Sequence, residues 1–233
     1  MRCMERLLQI WRQLQKKARR HGIANVFYAI ALRAINTVVP FKVLRAVYVE
    51  EPHPDFLELP APYTGTWFTP AALRAWAQDS ATELSEAFLD RALPKGDECY
   101  GFTHEGALAA YGWYAPGATP VAPGLVLHFA PGYVYMYKGF THDLHRGKRL
   151  HAIGMTRALQ HYRSSGFKGV VSYVESSNFD SLKSCARMGY REFGSIYLVE
   201  IAGRQFAFSS PGCARFGFRL ECQAKDKAVF AAQ

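Results

Sequence analysis

The chain has 233 residues, 49% of them apolar and 14% aromatic, which suffices for one packed domain with an extension and excludes a disordered or fibrous protein. Its formal charge of +9 sits at one end: residues 1–45 hold ten Lys/Arg against the single acid Glu5, and the remainder holds 18 of each sign. That excess is either a solvated helix face or a surface for an anionic membrane or acidic partner. Five cysteines (3, 99, 185, 213, 222), odd in number, scattered and without CxxC spacing, argue against structural zinc and fit free thiols in a reducing cytoplasm.

Residues 2–20 follow a helical pattern, with Leu7, Leu8, Trp11 and Leu14 on one side. A second, more apolar segment (23–39) is broken from the first near His21–Gly22. Arg33 and Asn36 interrupt it and no cleavage signal follows, so it reads neither as a signal peptide nor as a membrane span, which needs about 20 apolar residues. Residues 1–40 thus form a basic and apolar helical extension, packed on the domain or lying on a membrane surface at the cytoplasmic side. A domain over 41–222 and a tail over 223–233 follow.

A strand is expected over 42–50, then a proline-rich connection with Pro52, Pro54, Pro60 and Pro62. Thr69–Pro70 opens a helix by capping and by proline at its first turn, and helical spacing of Leu73, Trp76, Leu84 and Phe88 carries it towards Leu93. Residues 98–104 and 107–115 flank Glu105–Gly106 as a hairpin, and 125–130 and 133–141 are extended. The basic cluster 145–151 opens an amphipathic helix that Gly166 closes. A strand to Glu175, a short helix after Asn178, and a hairpin of 195–201 with 204–209 complete the domain.

Backbone N–H groups at the start of the 150s helix, with Arg146, Lys148 and Arg149 around Gly147, make a site for a pyrophosphate. The ordered series of tyrosine-rich strand, basic glycine loop, helix, strand and SSNFDSLKSCARMGY (176–190) resembles the GCN5-related N-acetyltransferase (GNAT) superfamily. Asn178, Ser181, Gly189 and Tyr190 match its later stretch. Arg146 and Gly147 match the start of its pyrophosphate loop, while Arg149 and His151 stand where it has small residues.

The resemblance implies an α/β fold: a GNAT-like mixed, mostly antiparallel sheet flanked by helices. It implies acetyl-CoA, or another acyl-CoA, as donor, held by Phe140, Thr141, Arg146, Gly147, Lys148, Arg149, Leu150, His151, Asn178 and Ser181. The acyl group would pass directly to a primary amine of a small molecule. Glu175, at a strand end, is the first candidate base, with His142 as substitute. Cys185 occupies the family's tyrosine-acid position and is the candidate proton donor.

Other readings stay open. Asn178 serves equally as a helix N-cap, Glu175 as a surface carboxylate, and Cys185 as core. His142, Asp143 and His145 lack an evident fourth ligand, so no metal is assigned. The apolar 23–39 segment argues against a nucleic-acid groove. A membrane-peripheral enzyme using a longer acyl-CoA or an acyl carrier protein, and a non-catalytic acyl-CoA binder, are the alternatives.

Overall fold

The computed structural model describes residues 15, 16 and 18–223; Cys3, the Leu7–Leu14 stripe and residues 224–233 of the tail lie outside the described residues. Residues 18–21 are helical and Gly22 leaves the helix at φ 88°, a conformation that glycine adopts without a Cβ clash. Helix α1 (Ile23–Ile35) follows and ends sooner than the apolar pattern suggests. Asn36 stops it: its amide donates to the Leu32 and Phe41 carbonyls and its Oδ1 accepts from the Phe41 N–H. No residue of α1 is buried.

Strand β1 (Phe41–Val49) and the short β2 (Tyr63–Trp67) flank the proline-rich connection. The single helix expected over 70–93 is instead two, α2 (Pro70–Trp76) and α3 (Glu86–Ala92), with a 3₁₀ turn at Ser80–Thr82 between them. Local side-chain bonds break it. Asp79 accepts from Ala81 N–H and Ser85 from Phe88 N–H, as Thr69 does from Ala72 N–H, so the apolar spacing is overridden by two further N-caps. The hairpin β3 (Glu98–His104) and β4 (Ala107–Ala115) turns at Glu105–Gly106, both at positive φ.

Strands β5 (Thr119–Ala122) and β6 (Leu125–His128) precede β7 (Tyr133–Thr141), helix α4 (Leu150–Ser164) and β8 (Gly169–Glu175). Helix α5 (Phe179–Arg187), the hairpin β9 (Arg191–Ile201) and β10 (Arg204–Ser209), the short α6 (Pro211–Ala214) and β11 (Arg219–Cys222) end the described chain.

Eight strands form one sheet in the order β10-β9-β1-β8-β7-β4-β3-β2, and every pair in it is antiparallel except β7 with β8. The first strand therefore lies inside the sheet, between β8 and β9. Strands β11, β6 and β5 make a second, small sheet that the sequence pattern did not reveal. Helices α4 and α5 cover one face, where Phe102, Tyr114, Val47, Ile153, Leu159 and Met188 pack. On the other face Tyr135, Val171, Phe216 and Phe218 meet the small sheet, and Trp113, Tyr111 and Phe140 meet α2 and α3. The fold is thus a mixed, mostly antiparallel sheet flanked by helices, with a helical N-terminal segment.

Candidate active site

The parallel pair β7 and β8 is joined over three residues, from Tyr133↔Gly169 to Tyr135↔Val171, and no ladder pairing follows. Each strand stays bonded to its other neighbour past that point: β7 to β4 through Thr141, and β8 to β1 through Glu175. Their facing edges, Tyr137–Thr141 and Tyr173–Glu175, are therefore open to each other. An irregularity in the β4–β7 register, Tyr114↔Met136 followed by Trp113↔Lys138, leaves Tyr137 as the extra residue at the start of this divergence. Such a bulge bends its strand. At the parting point the Ser172 hydroxyl donates to the Met136 carbonyl at 2.8 Å, in place of a ladder bond.

The loop from β7 to α4 runs beside this opening. Gly147 (φ 80°) and Arg149 (φ 60°) both adopt the left-handed conformation, and Arg149 caps α4 without a side-chain bond. None of the backbone N–H groups from Gly147 to Ala152 finds an acceptor among the described residues. Six successive free donors beside three cationic side chains are an arrangement that can accept an anion. Arg146, Lys148 and Arg149 are exposed; Arg146 is paired with Asp143 at 2.7 Å. Leu150 is buried and anchors the helix in the core, so only its backbone N–H is available to a ligand.

His151 is crowded by neighbouring atoms yet keeps an exposed surface. Desolvation lowers its pKa below the ordinary histidine value. It lies over Gly139 of β7: a Cβ there would stand 2.6 Å from the His151 Cε1. The absence of a side chain at Gly139 thus leaves the space that the His151 ring occupies.

Phe140 is buried against Tyr111 on the α2–α3 face, and Thr141 is half-buried at the end of β7. Asn178 Oδ1 accepts from the Ser181 N–H at 3.1 Å, capping α5. Glu175 is exposed; its register partner Leu44 belongs to the core on the small-sheet face, which puts Glu175 on that face. Cys185 packs against the core on the opposite face, and burial pushes its thiol up to about 11. His142 caps the turn Asp143–His145, its Nδ1 accepting from the Leu144 N–H. No hydrogen bond joins any two of Glu175, Cys185 and His142. Among the described residues no group of His, Cys, Asp or Glu is arranged to hold a metal.

Sequence reasoning singled out the tyrosine-rich strand but missed that its tyrosines stack in a row beside the divergence. Tyr135 stacks on Tyr137 (5.8 Å) and on Tyr173 (6.0 Å), and burial raises the pKa of all three phenols. The Tyr137 hydroxyl donates to buried Asp97, which also binds Lys95 at 2.7 Å. The alternation YVYMY was the available signal.

No protein-family model and no curated protein matches the chain. Solved structures do resemble it. An acetyltransferase from the GNAT family of Colwellia psychrerythraea is 17% identical with a TM-score of 0.48, covering 72% of this chain and 57% of that one. A tandem GNAT protein from the clavulanic acid biosynthesis pathway is 18% identical with a TM-score of 0.49, covering 73% and 57%. A GCN5-related N-acetyltransferase from Kribbella flavida is 17% identical with a TM-score of 0.44, covering 84% and 66%. This chain thus spans less than two thirds of their lengths. With likeness at this level, activity has to be argued from the chain's own residues.

Proposed function

We propose that the protein is an acyl-CoA-dependent N-acyltransferase that moves an acetyl or other acyl group directly from coenzyme A to a primary amine of a small molecule. The observation that carries this reading is the divergence of β7 from β8 immediately before the six unpartnered N–H groups of Gly147–Ala152. A pantetheine arm is a narrow chain with amide groups, which suits two open strand edges. A pyrophosphate suits the adjoining cradle. Arg146, Lys148 and Arg149 supply charge there. Phe140 and Thr141 offer backbone groups to the arm, and the Asn178 amide nitrogen remains available while its Oδ1 caps α5.

In the reaction the amine nitrogen attacks the thioester carbonyl, the C–S bond breaks, and the amine's proton leaves. Glu175 takes that proton, directly or through water, from the exposed face; His142 is the alternative base. The thiolate regains a proton from Cys185, which takes one back from water and so returns to S–H, or from water directly.

Acetyl-CoA should raise the melting temperature of the protein, because a ligand bound only by the native state stabilises it. Arg146→Glu should remove most of that shift without lowering the ligand-free melting point. An undiminished shift refutes the cradle. Time-dependent release of free thiol with an amine panel, followed by mass spectrometry of the products, separates catalysis from binding alone. Saturable binding without turnover on any amine would favour the non-catalytic binder.

A further inference from the structure

A trough runs beneath α1, and nothing in the acyl-transfer reading uses it. Its wider part, about 700 Å³, lies between α1 and α5 and is lined by Arg20, Asn25, Ser176, Lys183 and Glu192. Its narrower part, about 310 Å³, is lined by Ala31, Leu32, Ile35, Phe41, Val43 and Tyr197. Tyr28 and Arg45 line both parts and stand at their junction. The Tyr28 hydroxyl bonds Ser176 Oγ at 2.8 Å, tying the roof of the trough to the end of β8. One end is polar and cationic; the other is apolar.

Among the described residues, the charge at the junction and the lysine beside it have no acidic partner. Arg45 is half-buried and its guanidinium donates to one neutral group, Ser195 Oγ at 3.2 Å. No carboxylate among the described residues lies within 4.0 Å of Arg45 or Lys183, whereas Arg20 is held by Asp180 at 2.7 Å. Glu192 is the one carboxylate among the lining side chains. A half-buried guanidinium with most of its donors unused is costly unless an anion meets it. The apolar arm beyond it is roofed by a helix with no fully buried residue, and Ile35 and Tyr197 remain exposed along it, so apolar surface there is left to cover.

We propose that this trough binds a single-chain anionic amphiphile, its head group on Arg45 and Lys183 and its aliphatic tail beneath α1 along Leu32, Ile35, Val43 and Tyr197. Charge complementarity selects the head, and the change of lining at Arg45 fixes the direction in which the chain enters.

The test is calorimetric titration of the full chain with dodecyl phosphate below its micelle concentration. Saturable one-to-one binding is expected, at least ten-fold tighter than that of inorganic phosphate or of dodecyl maltoside. Arg45→Gln and Ala31→Trp, each retaining the wild-type circular dichroism spectrum, should weaken it ten-fold or more. Lys183→Glu, on the exposed side of α5, serves if Arg45→Gln does not fold. Equal affinity for inorganic phosphate reduces the site to an ion contact. Equal affinity for the maltoside removes the role of charge. Unchanged affinity in the variants overturns the placement. Ten-fold tighter binding after removal of residues 1–14 would make that segment the native occupant and also overturn the proposal. Sedimentation with phosphatidylglycerol vesicles tells the source of the ligand: pelleting that monomeric dodecyl phosphate reverses means a bilayer lipid, and no pelleting means a free amphiphile. The probe carries no thioester, so failure here leaves the acyltransferase reading intact, and loss of the acetyl-CoA effect leaves the trough intact.

Discussion

Replacing Ser172 by alanine tests whether the parting of β7 and β8 is held open by a specific bond. The Ser172 hydroxyl is buried and donates to the Met136 carbonyl at 2.8 Å, one residue past the last ladder pair. Alanine removes the donor without adding volume and leaves that carbonyl short of a partner. A lost hydrogen bond with an unsatisfied acceptor costs about 1–3 kcal/mol, and water entering from the open edge keeps the value near the lower end, about 1–2 kcal/mol. For a chain of this size each kcal/mol lowers the melting point by roughly 2–4 °C, so a fall of about 2–8 °C is expected. Thermal melts with and without saturating acetyl-CoA measure both stability and donor response. The ligand-induced shift should shrink as well, since the strand edges lose their spacing. Ser172→Thr, which keeps the hydroxyl, should recover part of both. A variant with the wild-type melting point and the wild-type shift would refute the reasoning.

The close contact of His151 with Gly139 gives a second expectation. Gly139→Ala drives a Cβ against His151 and should weaken donor binding ten-fold or more, and adding His151→Gly should restore it, a coupling that a double-mutant cycle on acetyl-CoA affinity reads directly. Glu175→Gln should lower turnover by about 10²-fold with donor affinity nearly intact; a wild-type rate would pass the base role to His142 or water. Cys185→Ala with an unchanged rate would leave the thiolate's proton to come from water. The lowered pKa of His151 means that the folded state prefers its neutral form. That contribution is complete above the unfolded value of about 6.5 and is lost as pH falls towards the folded pKa, so the melting point should drop between pH 7.5 and 5.5 and drop less in His151→Asn.

Much of the donor side could be read from the chain because its signals are local. Glu105–Gly106 announces a hairpin, Gly166 closes α4, and Asn178 caps α5, all through residues within a few positions of one another. The strands of the site, β7 and β8, stand out for their aromatic and β-branched runs. What escaped depends on distance in sequence. Nothing near Phe41 shows that β1 will lie between β8 and β9, and nothing near His151 shows that Gly139 will face it. The 70–93 helix was misread for the opposite reason: apolar spacing spoke for one helix, while Asp79 and Ser85 offered the backbone closer partners. The trough was hidden because apolar residues in 23–35 imply full burial, which no residue of α1 reaches.

The place of β1 within the sheet also governs how the protein must assemble. Leu44 pairs with Glu175 on one side and Ile196 on the other, so the strand's two edges are satisfied only by segments synthesised well over a hundred residues later. Closing such large loops is slow, and high contact order slows folding in general. During synthesis β1 emerges with two unpaired edges and an apolar run, the kind of segment that chaperones guard and that aggregates when left alone. The hairpin of β3 and β4 can form early from its own turn, whereas β10, β9 and β1 can join the rest of the sheet only after β8 has been made. On the ribosome, then, one of the earliest strands to appear is among the last to be locked in.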